Sequence, residues 1–236
     1  MAESSYYCLQ YFILSMLATT ILVHEKIGWF NFESLYRNKI NLYLDGNPDP
    51  VPSFLHRLYL KCELTIYFSA AIFMVLETRK DYADFWMTVV HHIVTIALIT
   101  AGYSTHNFNY SVVVAHMHDI SDIVLEFSKT VHYSGNTTLP KYTFLLFTIS
   151  FIIPRCIVFP LFCFIPFWSG KLDRVLSEMA PSIDPHLIYN SFERTFFPLT
   201  LCTLYVLDLI WASVIVKMCY DLFRHNVLFD VREKQN

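Results

Sequence analysis

Long stretches without a charged residue alternate with short polar segments along this chain of 236 residues. Residues 6–23 contain no Asp, Glu, Lys or Arg, and neither do residues 85–118, which a turn near 102–110 divides. A helix that crosses a membrane needs about 20 mostly apolar residues. The pattern therefore predicts six membrane-spanning helices, at residues 6–24, 56–77, 84–103, 110–131, 141–166 and 196–222.

Composition favours a membrane protein over a buried soluble helical bundle. Charged residues make up 16% of the chain, whereas about 25% is usual in soluble domains. The five glycines are too few for a Gly-rich phosphate loop, and the net charge of −3 provides no basic surface for nucleic acid. We therefore expect one all-α, polytopic membrane domain over residues 1–236, with a short polar tail at 223–236.

The first predicted helix does not have the features of a cleaved signal peptide. Its start is acidic rather than basic, and no small-residue cleavage site follows Leu22. With this helix retained, six spans place both termini on one side, here called side A, opposite side B. Lys and Arg are divided equally between the two sides, so the positive-inside rule does not decide the orientation. Residues 25–55 and 167–195, rich in aromatics, are predicted to be interfacial connections.

Two neighbouring spans each carry a narrow polar stripe. The stripe of the third span comprises Asp81, Asp84, Thr88, His91, His92 and Thr95, and that of the fourth comprises His118, Asp119, Asp122, Glu126, Lys129 and Tyr133. At about 100° per residue, each set lies within roughly 100° of its helix circumference. We expect stripes of this kind to face each other or a cavity rather than lipid.

The two stripes also match in depth. His91 lies 11 residues from Lys80, and His118 lies 11 residues from Lys129. At about 1.5 Å per residue, each histidine is about 16 Å from side A, near the middle of a core of about 30 Å. Because buried ionisable groups are costly, function is the favoured interpretation, although a polar clamp between helices and a Glu126–Lys129 anchor remain alternatives.

Three further ionisable residues fall singly within predicted spans, namely Glu63, Arg155 and Asp208. Arg155 could balance an intramembrane carboxylate, and Asp208 could be its partner or could pair elsewhere. His116 lies off the polar stripe and is interpreted as a packing residue. His56, near a span end, is interpreted as interfacial.

The polar stripes contain a motif that resembles the Lag1 motif of ceramide synthases. The similar segments are residues 77–81, 91–95 and 118–129, followed by Tyr133, and the third fits the pattern H-D-x-S-D-x-x-L-E-x-x-K. Weaker similarity extends over residues 56–222. Many family members read Leu-Gln-x-x-His-x-x-Trp in the last span, whereas Tyr205 and Asp208 occupy the Gln and His positions before Trp211 here.

The resemblance implies a TLC domain with helices around a central lipid tunnel, in the endoplasmic reticulum membrane, with side A and both termini cytosolic. It implies acylation of a sphingoid base by fatty acyl-CoA, which gives a ceramide and CoA. The expected catalytic residues are His91, His92, His118, Asp119 and Asp122. A histidine suits removal of the proton from a long-chain amine, and a second one can stabilise the oxyanion.

Within that set, His91 is expected to be the base or the acceptor of the acyl group. Asp119 and Asp122 would orient and charge-balance the histidines, and His92 or His118 would donate to the oxyanion. The residues expected to support the substrate site are Glu126, Thr95, Arg155, Asp208 and Trp211. Those expected to hold the CoA phosphates, with headgroup anchoring as the alternative, are Arg79, Lys80, Lys129 and Lys141. No metal and no cofactor is expected, since acyl-CoA is a co-substrate.

Other functions remain open from the sequence. A metal-dependent membrane oxygenase could use His91, His92, His116, His118 and Asp122 as ligands, but the expected His-x-x-x-His boxes are missing. A non-catalytic TLC protein that senses lipid or escorts cargo is the second alternative. The expected partners are acyl-CoA, the sphingoid base and membrane lipids, without nucleic acid, and a second copy or an accessory subunit could join the chain.

Overall fold

The computed structural model describes residues 2–44, 52–76, 84–136 and 138–225, and over these ranges every regular element is a helix. The α-helices are α1 (Ala2–His24), α2 (Phe32–Leu44), α3 (Phe54–Leu76), α4 (Phe85–Ser104), α5 (Phe108–His132), α6 (Leu139–Phe151), α7 (Ile165–Trp168), α8 (Lys171–Met179), α9 (Pro185–Ile188) and α10 (Ser191–His225). The predicted all-α membrane fold is confirmed.

Five stretches are long and apolar enough to cross a membrane, namely α1, α3, α4, α10 and the continuous segment Leu139–Trp168. The fourth predicted span coincides with α5, which has 25 residues but is more polar because it carries the charged stripe. More than half of the α5 residues are buried among neighbouring helices. The most polar long helix is therefore enclosed by apolar ones, as the cost of placing charge in lipid requires.

Two contacts between α1 and α5 show how these helices run relative to each other. Ser15 Oγ on α1 lies 3.4 Å from His116 Nδ1, and Cys8 Sγ lies 3.6 Å from the Ile123 carbonyl, so α1 runs antiparallel to α5. At the α4–α5 turn, a Cβ on Gly102 would overlap Ser111 Oγ and lie 3.3 Å from Ser111 Cβ. Glycine at this position therefore favours the close approach of the two helices.

The fifth span is not one regular α-helix, contrary to the single helix predicted for residues 141–166. After α6, the stretches Ile152–Val158 and Pro160–Phe164 are π-helical, and the chain returns to α-helix in α7. Pro154 and Pro160 lack an amide hydrogen and clash with the preceding turn. The backbone hydrogen bonds that span Pro154–Phe159 and Pro160–Ile165 consequently reach five residues back.

Helices α2, α8 and α9 form a side-B layer in the regions predicted only as connections. Lys39 of α2 pairs with Glu193 at the start of α10, and its Nζ donates to the Thr105 carbonyl at 2.8 Å. Burial lowers the pKa of Lys39, and the neighbouring Glu193 opposes that shift. This buried ion pair ties α2 to α10 and to the α4–α5 turn.

Two histidines outside the stripes are both buried. His116 packs between α1 and Trp29, as predicted for a packing residue. His56, interpreted as interfacial, lies in the first turn of α3 and is buried, with its Nε2 3.0 Å from Asn109 Oδ1 at the start of α5. This polar partner satisfies the buried imidazole.

Candidate active site

A small cavity of about 30 Å³ lies between α3, α4, α5 and α10. Its polar end is formed by Tyr67, His91, Thr95 and His118. Its other end is apolar and aromatic, with Phe197 and Leu201 of α10 among the lining residues. The polarity of the lining, though not the present volume, matches a ligand that has a polar head and an apolar chain.

His91 has an unengaged ring nitrogen at this cavity. Its Nδ1 is buried without a hydrogen-bond partner, and so is Oγ1 of Thr95 one turn further along α4. The ring of His91 is held by the aromatic side chains of Trp211 and Tyr67, at centroid distances of 5.4 and 6.0 Å. Because buried polar atoms are normally satisfied, two unpaired atoms on a cavity wall indicate a place for a ligand.

His92 lies beside His91 in sequence but at a different cavity. The two rings are 5.8 Å apart, and His92 Nδ1 lies 2.8 Å from the Thr88 carbonyl. His92 lines a second space of about 240 Å³ between α3 and α4, together with Trp86 and Ile93. His91 and His92, which the sequence analysis places in one catalytic site, therefore line two different spaces.

His118 of α5 is engaged through both ring nitrogens. Its Nδ1 lies 2.8 Å from the Val114 carbonyl, and its Nε2 lies 3.3 Å from Asp208 Oδ2 of α10. His118 and Asp208 are both buried. The carboxylate that contacts His118 therefore comes from the last span rather than from the stripe on α5.

Arg155 of the fifth span contacts both His118 and Asp208. Its Nη2 donates to Asp122 Oδ1 at 2.5 Å and to the His118 carbonyl at 2.9 Å, and its Nη1 lies 3.6 Å from Asp208 Oδ1. The guanidinium also lies 4.7 Å from the centre of the Phe151 ring. The structure thus places one permanent cation between two carboxylates.

Asp119 faces α3, away from the central cavity. Tyr59 donates to its Oδ2 at 2.9 Å, while its Oδ1 is buried without a partner. Glu63, one turn after Tyr59, is fully buried, and neither of its carboxyl oxygens has a hydrogen-bond partner. The sequence interpretation treated Glu63 as isolated, although the spacing of Tyr59, Glu63 and Tyr67 at every fourth residue marks a stripe that could have been found.

The basic residues expected near the CoA phosphates are only partly described. Lys129 forms a salt bridge of 2.5 Å with Glu126 on the same helix face, which corresponds to the anchor alternative. Lys141 lies in the first turn of α6, near the side-A end of α5. Arg79 and Lys80 lie outside the described residues. In the described ranges, no group of three or more His, Cys, Asp or Glu side chains is arranged to hold a metal ion.

Comparison with known proteins gives a consistent result. The family model of the TLC domain matches residues 1–217. The chain is 28% identical over 217 residues to ceramide synthase LOH2 from Arabidopsis thaliana, an alignment that covers 90% of this chain and 68% of the relative. It is 29% identical over 212 residues to sphingosine N-acyltransferase lag1 from Schizosaccharomyces pombe, covering 86% of this chain and 49% of the relative. It is 27% identical to ceramide synthase hyl-1 from Caenorhabditis elegans, covering 78% of this chain and 49% of the relative.

Proposed function

The chain belongs to the TLC-domain family, and from that premise we propose that it is a ceramide synthase, a sphingoid base N-acyltransferase. It transfers a fatty acyl group from acyl-CoA to the amine of a long-chain base and releases CoA. Relatives that carry ceramide synthase names cover most of this chain and support the proposal. The reaction needs no cofactor, because acyl-CoA is itself the second substrate.

The observation that carries the proposal is the polar end of the apolar cavity. His91 Nδ1 and Thr95 Oγ1 have no hydrogen-bond partner, and both residues line the polar end of a cavity whose other end is apolar. An acyl chain would enter the apolar part by displacing the side chains that now nearly fill it, and its thioester carbonyl would then reach the histidine. A polar centre inside a membrane suits two substrates that both have long alkyl tails.

The chemistry follows from the state of the amine. A long-chain amine is mostly protonated near neutral pH, so a base must first take one proton before nitrogen can attack the thioester. We assign that role to His91, because histidine is the side chain that most often serves as a general base and its Nδ1 has no hydrogen-bond partner. Nitrogen then forms a bond to the carbonyl carbon, the carbon–sulfur bond breaks, and CoA leaves with a second proton from the nitrogen. In the alternative route His91 first takes the acyl group itself, and the amine attacks that acyl-histidine.

Access to the site is proposed from side A. CoA is anionic and stays in water, so Lys129 and Lys141, together with Arg79 and Lys80, would contact its phosphates at that surface. We place the protein in the endoplasmic reticulum membrane, with side A and both termini towards the cytosol. His92 and its separate cavity leave room for the second alkyl chain.

The decisive experiment uses the purified chain in liposomes with sphinganine and a series of acyl-CoAs. The wild type should form ceramide and release CoA in equal amounts, and His91→Ala should lower the turnover about 10²–10⁴-fold, the usual contribution of a general base. Asp122→Ala should also lose activity, because it leaves Arg155 without its nearest carboxylate. CoA released without sphinganine, at one equivalent per enzyme, would identify the acyl-histidine route.

His116→Gln is the matched control, since His116 is a buried histidine of the same bundle that does not line the cavity. It should keep most of the activity. Turnover that persists in both His91→Ala and Asp122→Ala would refute the assigned site. Absence of turnover with every acyl-CoA would instead favour a non-catalytic lipid sensor or escort protein.

A further inference from the structure

The hydrogen bonds of His118 require a proton that a neutral imidazole cannot supply. Its Nδ1 faces the Val114 carbonyl, which only accepts, so Nδ1 must carry a hydrogen. In neutral imidazole, Nε2 would then be an acceptor, yet it lies 3.3 Å from Asp208 Oδ2. This contact is a hydrogen bond only if one proton lies between Nε2 and the carboxyl group.

Arg155 decides which partner holds that proton. Its Nη1 lies 3.6 Å from the other Asp208 oxygen, and this permanent positive charge favours an ionised carboxylate. The proton then belongs to Nε2, and His118 is an imidazolium. Together with Asp122, which Arg155 also contacts at 2.5 Å, the group has two positive and two negative charges. A neutral total suits a cluster in which Arg155, His118 and Asp208 are all buried.

We propose that Asp208 is the positioning residue of the site: it holds His118 as an imidazolium beside the cavity, as a fixed positive charge for the oxyanion. The proposal rests on the acyltransfer function given above. His118 would stabilise the tetrahedral intermediate electrostatically and would take no proton from the amine. His91, with its unpaired nitrogen, is left as the base.

With these two roles, a plot of kcat/KM against pH should have an acid limb and an alkaline limb that belong to different histidines. The groups around His118 are His91 from α4, Tyr67 from α3, Arg155 from the fifth span and Asp208 from α10, with Asp122 on its own helix. Protonation of His91 removes the base at low pH, and deprotonation of His118 removes the positive charge at high pH. Loss of an opposite charge makes an imidazolium easier to deprotonate.

The test compares Asp208→Asn with Asp208→Glu and the wild type across neutral and alkaline pH, with the same acyl-CoA and sphinganine. In Asp208→Asn the alkaline limb of kcat/KM should move by about one pH unit towards lower pH, while Asp208→Glu should restore the wild-type position. The substrate amine titrates identically in all three enzymes, so a difference between their profiles belongs to the protein. A uniform loss of activity with an unmoved limb would show a structural role only and would overturn the proposal.

A second measurement is independent of turnover. In protein labelled with ¹⁵N-histidine, His118 should show both ring nitrogens protonated at neutral pH, with the signal assigned by its disappearance in His118→Gln. A neutral His118 signal in the wild type would overturn the proposal even if Asp208→Asn fails to fold. If the wild type has no acyltransferase activity, the proposed function fails, and this spectrum still decides the charge of His118.

Discussion

At the scale of single residues, adjacent side chains on one helix point in different directions, and this decides which of them face the cavity. Adjacent positions point about 100° apart, so His91 reaches the central cavity while His92 lines the space between α3 and α4. In the same way His118 contacts Asp208 of α10, and Asp119 contacts Tyr59 of α3. Adjacent residues of the motif therefore contact different helices and line different cavities.

The contact between Tyr59 and Asp119 gives a stability prediction. Tyr59→Phe removes the hydroxyl that donates to Asp119 Oδ2, and Asp119 Oδ1 already has no partner. Leaving a buried acceptor unsatisfied costs about 1–3 kcal/mol. We expect a corresponding fall in the free energy of unfolding, measured by denaturation in a mild detergent. Tyr142→Phe is the control, since Tyr142 is 66% exposed, and an equal effect of both changes would contradict the prediction.

At the scale of the helices, the sequence predicts positions better than contacts. A charge-free stretch of about 20 residues is a local property, and the predicted spans 56–77 and 84–103 agree closely with α3 and α4. Which side chains meet depends instead on how each helix is rotated against its neighbours. The sequence pattern therefore groups Asp119 with the histidines although Asp119 faces α3, and it leaves open the partner of Asp208, which contacts both Arg155 and His118.

The π-helical segment gives a prediction about one element. Pro154 precedes Arg155, and the widened helix there allows the guanidinium to reach Asp122 and the His118 carbonyl. Because proline inside an α-helix costs about 3 kcal/mol, Pro154→Ala should let this segment regain α-helical hydrogen bonds and displace Arg155. We expect unchanged or higher thermal stability together with at least about tenfold lower turnover, equivalent to about 1.4 kcal/mol in the barrier.

Pro140→Ala provides the matched control for this change. Pro140 lies in the first turn of α6, where proline is tolerated because its amide has no helical partner. Both stability and turnover should stay close to those of the wild type. Full activity in Pro154→Ala would show that the π-helical geometry is not needed to position Arg155.

At the scale of the whole molecule, apolar helices surround a polar centre that is closed towards side B. Large apolar side chains are exposed on the outer faces, as lipid contact requires, while α5 lies inside. The central cavity extends from His91 to Ile99 along α4, eight residues or about 12 Å at 1.5 Å per residue. Tyr110 and Phe197 are buried at the side-B end, beneath the layer that the Lys39–Glu193 pair fixes.

This closed end gives a prediction about the chain length of the proposed acyl-CoA substrate. Phe197→Val would deepen the cavity at the end distant from His91, so longer acyl chains should fit, and one methylene in an apolar pocket changes kcat/KM by about 10–200-fold. We expect the preference among acyl-CoAs of increasing length to move to longer chains by at least about tenfold in the kcat/KM ratio. Phe192→Val is the control, because Phe192 lies on the same helix, is 58% exposed and does not line the cavity. An unchanged preference in Phe197→Val would mean that the acyl chain does not extend to this end, and that the cavity holds the sphingoid base instead.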